Sequence, residues 1–587
     1  MHRNTHALTD GEFDLLIIGA GAFGAAAARE ATLLGLRTAL IDKGDFGGAT
    51  SAECFKMVHG GIRYLQHADV PRLRASCRER TTLLRIAPHL VHPLPIAIPT
   101  YGRGRRGRAF LGAGACLYDL LTFDRNWPVR DPARRIRRTQ LLSRAEILAH
   151  FPHLSAPDLS GAVVFEDGQM YNPARLVLAF VKAATSQGAV ACNYVEASSL
   201  LWDGARVCGV RATDRLSGDR FDIRARLTLN AAGPWADYLQ ADPARFGQFE
   251  RAPFSRDAYF IVERKPTSSY GLAVQGLSRD KDALLSRSNR HLFAVPWGDR
   301  TLFGVWHRHY LESPDTVGID RDEIEQWIAE LNTVYPALQL SMNEVSFANC
   351  GLVPFGDTAT REELSFGKQS RLIDHRAAHG VGGLVSLVGI RFTTARVDSQ
   401  RALDLLLQQW PHRLDRRRAA RESESRALPG GAIEQFETFR EQARREAPQG
   451  VESDTLDALL RNFGTEYRAV LEHGADERSP AVADKVPDTA TLVREVLFCV
   501  DREMAVRLED VVLRRTNLAA GKHPGSRALR SVADAMARRL GWSEQRRAEE
   551  IAATERVLAR HHARSLFERH DRDPIREGSG VLAKALA

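Results

Sequence analysis

An α/β fold built on a doubly wound sheet is what this sequence predicts, and three observations predict it. The stretch FDLLIIGAGAFGAAAAREATLLGLRTALID (13–42) runs from an apolar segment through three glycines into an alanine-rich segment, then into a second apolar run ending in an acid. At 587 residues the chain is too long for one core, so two or three domains are expected. Its hydrophobic and charged fractions, 44% and 26%, are those of a globular protein rather than a disordered one.

FDLLIIG suits a short strand buried on both faces. AFGAAAAREATLLG has helical composition and a stop at Gly35, and LRTALID restarts as a strand. Strand, glycine turn, helix, strand and acid within about 30 residues make the βαβ unit that binds dinucleotides. In that unit Gly19 permits the tight turn, Gly21 lets the backbone approach a pyrophosphate, and Gly24 lets helix and strand pack closely. The helix offers unpaired N–H groups and partial positive charge to the phosphates. Asp42 lies where a carboxylate accepts hydrogens from ribose hydroxyls. The unit opens the chain, as in many flavoproteins, and by that analogy FAD is favoured over NAD.

The formal charge of +8 is modest for this length and partly local, in GRGRRGR (102–108) and RRIRR (134–138). No nucleic-acid motif accompanies it, so nucleic-acid binding is not expected. Two readings of the basic segments stay open: a solvated loop, or contact with anionic lipid headgroups beside the apolar FLGAGACLYDLL (110–121). The seven cysteines are scattered without a C-x-x-C pair, which reads as reduced thiols and no metal site. The start, MHRNTHALTDGE, is polar, and no run of about 18 apolar residues occurs, so a cytoplasmic protein is expected.

GDFGGATSAECFKMVHGGIRYLQH (44–67) carries Ala49, Thr50, Ser51, Lys56, His59, Gly60, Gly61, Arg63, Tyr64 and Leu65 in an A-T-S … K … H-G-G-x-R-Y-L pattern. This resembles the FAD-dependent glycerol-3-phosphate dehydrogenases. APHLVHPLPIAIP (87–99) and YNPARLVLAFVKAATSQGA (171–189) are similar to two further family segments. NAAGPWAD (230–237), with Ala232, Gly233 and Trp235, resembles the motif beside the adenosine half of the flavin. LVSLVGIRFTTAR (384–396), with Gly389, Thr393 and Thr394, resembles the L-x-x-x-G-G-K-x-T-T-x-R motif, whose helix aims N–H groups at the flavin pyrimidine edge. LPGGAIE (428–434) and RLEDVVLRRT (507–516) are similar to the family's C-terminal domain.

The resemblance implies an FAD-binding doubly wound domain over 13–100, 160–240 and 345–410. An α+β antiparallel-sheet substrate domain (101–160 and 241–345) is interleaved with it, and an all-α cap spans 425–565. RRRAARESESRALPGG (416–431) reads as the linker to the cap, and the stripes on the cap helices read as core. The implied reaction is oxidation of a secondary alcohol of a small anionic substrate, glycerol 3-phosphate to dihydroxyacetone phosphate by default, with hydride passing to flavin N5. The implied electron acceptor is a membrane quinone, reached from a peripheral position on the inner face of the membrane; O2 is the alternative. A homodimer is compatible with the sequence.

The substrate motifs depart from the family pattern. Val353 stands where a phosphate-binding arginine is expected, Ile390 and Arg391 replace the Gly-Lys of G-G-K, and Val305, Trp306 and His307 replace Thr-Thr-Asp. Tyr259 replaces a histidine. Losing a bidentate guanidinium contact to phosphate costs roughly 1.5–3 kcal/mol. Arg391, Lys368, His307 and Arg308 are candidates for a shifted anion site. The resemblance places Arg63 and Tyr64 near the redox ring and Arg391 at the catalytic lysine, where a guanidinium stabilises an alkoxide but is a poor base. Base duty then falls to Tyr259, His307 or a water. Three readings follow: the family enzyme, a relative acting on another hydroxylated or aminated compound, and a catalytically silent flavin-binding protein.

Overall fold

The computed structural model describes residues 1–104, 107–154, 157–247, 253–279, 289–354, 370–411, 414–474 and 481–561. The expected βαβ unit opens it. Strand Phe13–Ile18 is buried at every position except Asp14, and each of its leucine and isoleucine side chains contributes about 1.5–3 kcal/mol by leaving water. Helix Ala22–Leu33 follows. Its run of alanines lets it sit between helices Pro173–Thr185 and Ala395–Leu406 with nearly all residues buried. The chain returns as strand Thr38–Ile41, parallel to the first with Leu15 opposite Thr38.

These strands belong to a sheet ordered Arg371–Asp374, Leu384–Val388, Arg220–Asn230, Phe13–Ile18, Thr38–Ile41, Val190–Cys192, with the hairpin 195–214 attached to Arg220–Asn230. The pairings along the centre are parallel and the strand Arg371–Asp374 at one end is antiparallel. The strand order runs outward in both directions from Phe13–Ile18, which places a crevice at the carboxyl ends of the central strands.

A second, nine-stranded and mainly antiparallel sheet is ordered Val345–Pro354, Phe254–Val262, Arg300–Tyr310, Asn289–Trp297, Gly271–Arg279, Val91–Tyr101, Leu159–Met170, Met57–Val58, with Gln140–Ser143 attached to Leu159–Met170. Strands Val91–Tyr101, Leu159–Met170 and Val345–Pro354, counted with the dinucleotide-binding segments on sequence grounds, pair here instead. Their length allows it: Val91–Tyr101 and Leu159–Met170 pair along almost their whole extent, from Val91 opposite Met170 to Tyr101 opposite Leu159.

The helical C-terminal region packs on this second sheet. Leu456, Leu459, Val496, Val512 and Val532 share one apolar core with Ile261, Leu302 and Phe347, so the stripes on these helices are core, as expected. The segment read as the linker to the cap is helical over Arg416–Ser425 and buries Ala419 and Ser423. Arg29 of the first helix donates to the carbonyls of Ser423 and Arg426, and Arg396 donates to the Ser423 hydroxyl. Polar contacts tie the helical region to the first sheet as well. Asp45 receives Arg514, Arg515 and Asn193 at 2.7–2.9 Å, and Glu503 receives Arg175 and Lys182.

The RRIRR segment is partly packed rather than a plain solvated loop. In RRIRR, Ile136 is buried and the Arg134 guanidinium lies 4.4 Å from the centre of the Phe436 ring. GRGRRGR leads into helix Arg108–Leu121; Arg105 and Arg106 lie outside the described residues. No helix among the described residues is long and apolar enough to cross a membrane.

Candidate active site

The three glycines of the first turn are held for three different reasons. Gly19 is left-handed at φ +96°, and a Cβ there would lie 2.5 Å from the Ala231 carbonyl oxygen. The turn is thus pressed against the segment that carries Ala232, Gly233 and Trp235. A Cβ on Gly24 would lie 1.8 Å from the Gly19 carbonyl oxygen, which is the close helix–strand packing expected. Gly21 caps the helix in extended geometry, and no side chain of its own closes the helix end. The Ala22 amide there reaches the Ser51 hydroxyl at 3.0 Å.

Asp42 braces this turn with both carboxylate oxygens, accepting from the Ala20 and Gly44 amides at 2.6 and 2.8 Å. Burial pushes its carboxyl above the usual range, and the two amides work against that shift. Trp235 donates to Asp315, and Lys43 lies 4.0 Å over its ring, which fixes the indole beside the turn.

From the helix opening a cavity of about 480 Å³ runs past Ala22, Ser51 and Thr50 to Tyr64, Gly389, Arg391 and the second sheet. Thr50 exchanges hydrogen bonds with the backbone of Leu352, and the His59 amide donates to the Thr393 hydroxyl, so both long motifs meet across the cavity. Gly60 is needed because a Cβ would lie 2.3 Å from the Arg80 guanidinium, and Gly61 because one would lie 2.2 Å from the Tyr64 ring. His59 lines the wall beside Tyr64.

Two residues expected at the cofactor face elsewhere. Lys56 sits behind the wall with its ammonium 2.9 Å from the Tyr259 hydroxyl, and burial lowers its pKa to about 8. Thr394 turns into its own helix and donates to Asp398 at 2.8 Å.

At the substrate end, alternation along the strands decides which side chains face inward. Val305 and His307 line the cavity, while Trp306 points outward onto Glu330 and the Trp327 ring. Arg308 leaves the anion site as well, because it pairs with Glu323 alongside Arg256. Tyr259 lines the cavity, but its hydroxyl faces Lys56 and Asn349, and burial raises its pKa well above the phenol range. It therefore stays protonated and does not act as a base. Arg391 is held by neutral groups, donating to the Tyr64 hydroxyl at 2.7 Å and the Ser76 hydroxyl at 3.0 Å. The side chain of Arg63 and all of Lys368 lie outside the described residues. No cluster of metal-binding side chains occurs among the described residues.

Sequence reasoning missed Arg72, Asp257 and Glu53, all on the cavity wall. Asp257 had a signal: it lies two residues before Tyr259 on a strand, hence on the same face. The Arg72 guanidinium covers the Tyr64 ring at 4.3 Å, with Arg391 also over that ring at 5.3 Å.

The left-handed Gly19, the helix end opened by a glycine and the cavity leading away from it fit an adenine dinucleotide whose second half reaches the other sheet. Fold and site together define a flavoprotein oxidoreductase. Residues 14–391 match the FAD dependent oxidoreductase family, and residues 422–547 match the C-terminal domain of alpha-glycerophosphate oxidase. The chain is 30% identical over 559 residues to a glycerol-3-phosphate dehydrogenase of Mycobacterium leprae, covering 94% of this chain and 88% of that one. It is 29% identical over 555 residues to one from Synechocystis, covering 92% and 96%. The glycerol-3-phosphate dehydrogenase of Bacillus halodurans, solved with FAD, shares the fold with a TM-score of 0.71 at 23% identity, over 95% of this chain and 96% of that one. The chain belongs to the FAD-dependent glycerol-3-phosphate dehydrogenase family: FAD is its cofactor, and it is an oxidoreductase acting on CH–OH groups.

Proposed function

We propose that the protein oxidises the secondary alcohol of a small anion, with glycerol 3-phosphate as the default substrate. The observation that carries this reading is the pair of guanidiniums, Arg72 and Arg391, flanking Tyr64 on the cavity wall. Burial pushes the Arg72 pKa down, and the neighbouring Arg391 charge adds to that. The Nε atoms of both are buried without a hydrogen-bond partner. An anion between them relieves the repulsion and accepts charge-assisted hydrogen bonds.

The turn at Gly19 and Gly21, with Ser51 at the helix opening, holds the pyrophosphate, and His59, Gly389 and Thr393 border the redox ring. FAD, when bound, supplies the hydride acceptor. Arg391 and Tyr64 orient the substrate and offset negative charge on its oxygen as the hydroxyl proton departs.

A second reading, a relative acting on another hydroxylated or aminated compound, is favoured by Val353 and Val305, which leave the opposite wall without the expected phosphate arginine. Anaerobic bleaching of bound flavin separates the two readings. Glycerol 3-phosphate is expected to bleach it within seconds; bleaching only by non-phosphorylated hydroxy or amino compounds supports the second reading. No bleaching across such a panel sinks both and leaves a silent flavoprotein.

For reoxidation we propose a membrane quinone, with O2 as the alternative acceptor. Helix Arg108–Leu121 and the following turn support a peripheral position: Phe110, Leu117, Leu120 (69% exposed), Phe123 and Trp127 (76% exposed) stand in solvent, and Arg103 and Arg108 lie beside them. Exposed apolar side chains of this density next to basic ones suit insertion into an anionic headgroup layer. In sedimentation with vesicles containing phosphatidylglycerol, Leu120→Asp with Trp127→Asp should weaken binding about 100-fold, at roughly tenfold per side chain. Equal binding by variant and wild type removes this surface from the membrane.

A further inference from the structure

Ser255, Asp257 and Tyr259 alternate onto one face of strand Phe254–Val262. Asp257 is in register with His307 on one side and with Gly351 on the other. The resemblance puts a family aspartate at the position of His307; here the carboxylate stands one strand away and the imidazole has taken its place. His307 Nδ1 lies 2.7 Å from Asp257 Oδ1, and the Ser255 hydroxyl donates to the same oxygen at 2.7 Å. Both Asp257 and His307 border the cavity. An ionised carboxylate only accepts, so Nδ1 carries the hydrogen and Nε2 is the basic nitrogen.

We propose that His307, positioned by Asp257, takes the hydroxyl proton of the substrate, an inference that rests on the dehydrogenase reading above. The substrate O–H bond breaks and its proton goes to Nε2. The C–H bond on the same carbon breaks with both electrons leaving as hydride to the FAD that the family activity supplies, and the carbon–oxygen double bond forms. The imidazolium, stabilised by Asp257, later returns its proton to water.

The other polar groups on the wall do not serve. Tyr259 is held protonated between Lys56 and Asn349. A guanidinium, as in Arg391 or Arg72, is effectively always protonated. Asp167 pairs with Arg80. Asp69 caps helix Val70–Ile86 through the Arg72 amide. Glu53, whose carboxyl burial raises, accepts from the Cys350 amide and faces His561 at 3.8 Å. Glu53 and His59, whose ring lies on the wall beside Tyr64, are the rival bases the test must exclude.

The test uses holoenzyme and two readouts. In histidine-labelled protein, with the His307 signal assigned by its loss in His307→Asn, the neutral ring should be the Nδ1–H tautomer, and Asp257→Ala should abolish that preference. An Nε2–H tautomer, or a tautomer preference indifferent to Asp257→Ala, overturns the pair. The second readout is the rate of anaerobic flavin reduction against pH, using glycerol 3-phosphate or whichever compound of the panel bleaches the wild type. His307→Asn should retain its flavin spectrum, slow reduction by about 10²–10⁴-fold and lose the acid limb of the profile, with substrate affinity changed far less. Asp257→Asn should move that limb to lower pH. An acid limb that survives in His307→Asn and disappears in Glu53→Gln or in His59→Asn assigns the proton to that residue and overturns the proposal. A wild type that no compound bleaches sinks the dehydrogenase reading, and the imidazole tautomer then decides the pair on its own.

Discussion

Replacing Asp45 with asparagine should lower the unfolding free energy by about 3–5 kcal/mol, the usual cost of breaking a buried ion pair from one side. Asp45 and its partner Arg515 both have side chains with no exposed surface, and Arg514 and Asn193 complete the shell. Burial alone would raise the Asp45 carboxyl, but the charges of Arg515 and Arg514 outweigh it and hold the pKa below the ordinary value. An asparagine keeps the shape and leaves two guanidiniums in the interior facing a neutral amide. Asp510, pushed up by burial and then by Asp45, would ionise more readily once Asp45 is gone and offset part of the loss through Arg514. The sign with pH follows from the depressed pKa. The Asp45 contribution is fully present above the unfolded carboxylate value of about 3.9 and is lost as pH falls through the folded value. Urea midpoints of wild type and Asp45→Asn should therefore differ widely at pH 7, begin to converge below about pH 4 and meet only as pH falls through about 2. Equal midpoints at pH 7 would show that the cluster does not hold the helical region to the first sheet.

This cluster also shows where the sequence stops being legible. Asp45 lies in a loop beside the dinucleotide turn and Arg514 and Arg515 lie some 470 residues later; nothing in local periodicity pairs them. The glycine turn could be read because its causes are local: an apolar strand, three glycines and a helix within about 30 residues. The segment 416–431, read as the linker to the cap, makes contacts that its sequence did not announce. Its charge density suggested solvent, yet its small residues Ala419 and Ser423 are buried and Ser423 meets Arg29 of the first helix, and small residues carry little hydrophobic signal. At the substrate end, residue identity was visible and direction was not. Val305, Trp306 and His307 were singled out together, but only strand alternation with a fixed register sends Trp306 outward and brings His307 to Asp257. Arg308 was misplaced for the same reason, since its neighbour across the strand face is Glu323.

Two alanine substitutions in the first turn should fail differently, and the difference tests what the glycines are for. Alanine favours a helix over glycine by roughly 1 kcal/mol, so Gly24→Ala, inside helix Ala22–Leu33, would stabilise an open helix. Here the new methyl carbon would meet the Gly19 carbonyl oxygen at 1.8 Å, a backbone atom that cannot swing away. Overpacking of this kind costs about 1–3 kcal/mol or more, so the apoprotein itself should melt at lower temperature and take up FAD poorly. Gly21 has φ −72° and ψ −172°, a conformation alanine adopts without strain, and its methyl would touch only the Ser51 hydroxyl at 3.0 Å. Gly21→Ala should therefore leave the apoprotein melting curve within about 1 kcal/mol of wild type. Its FAD affinity should still fall by at least about tenfold, because the methyl takes the space a pyrophosphate needs against that amide. Calorimetry of the apoproteins and flavin titration of each variant give the two numbers. If Gly21→Ala binds FAD as the wild type does, the phosphates do not rest on this backbone, and the cavity beyond it must be entered by the cofactor from another side.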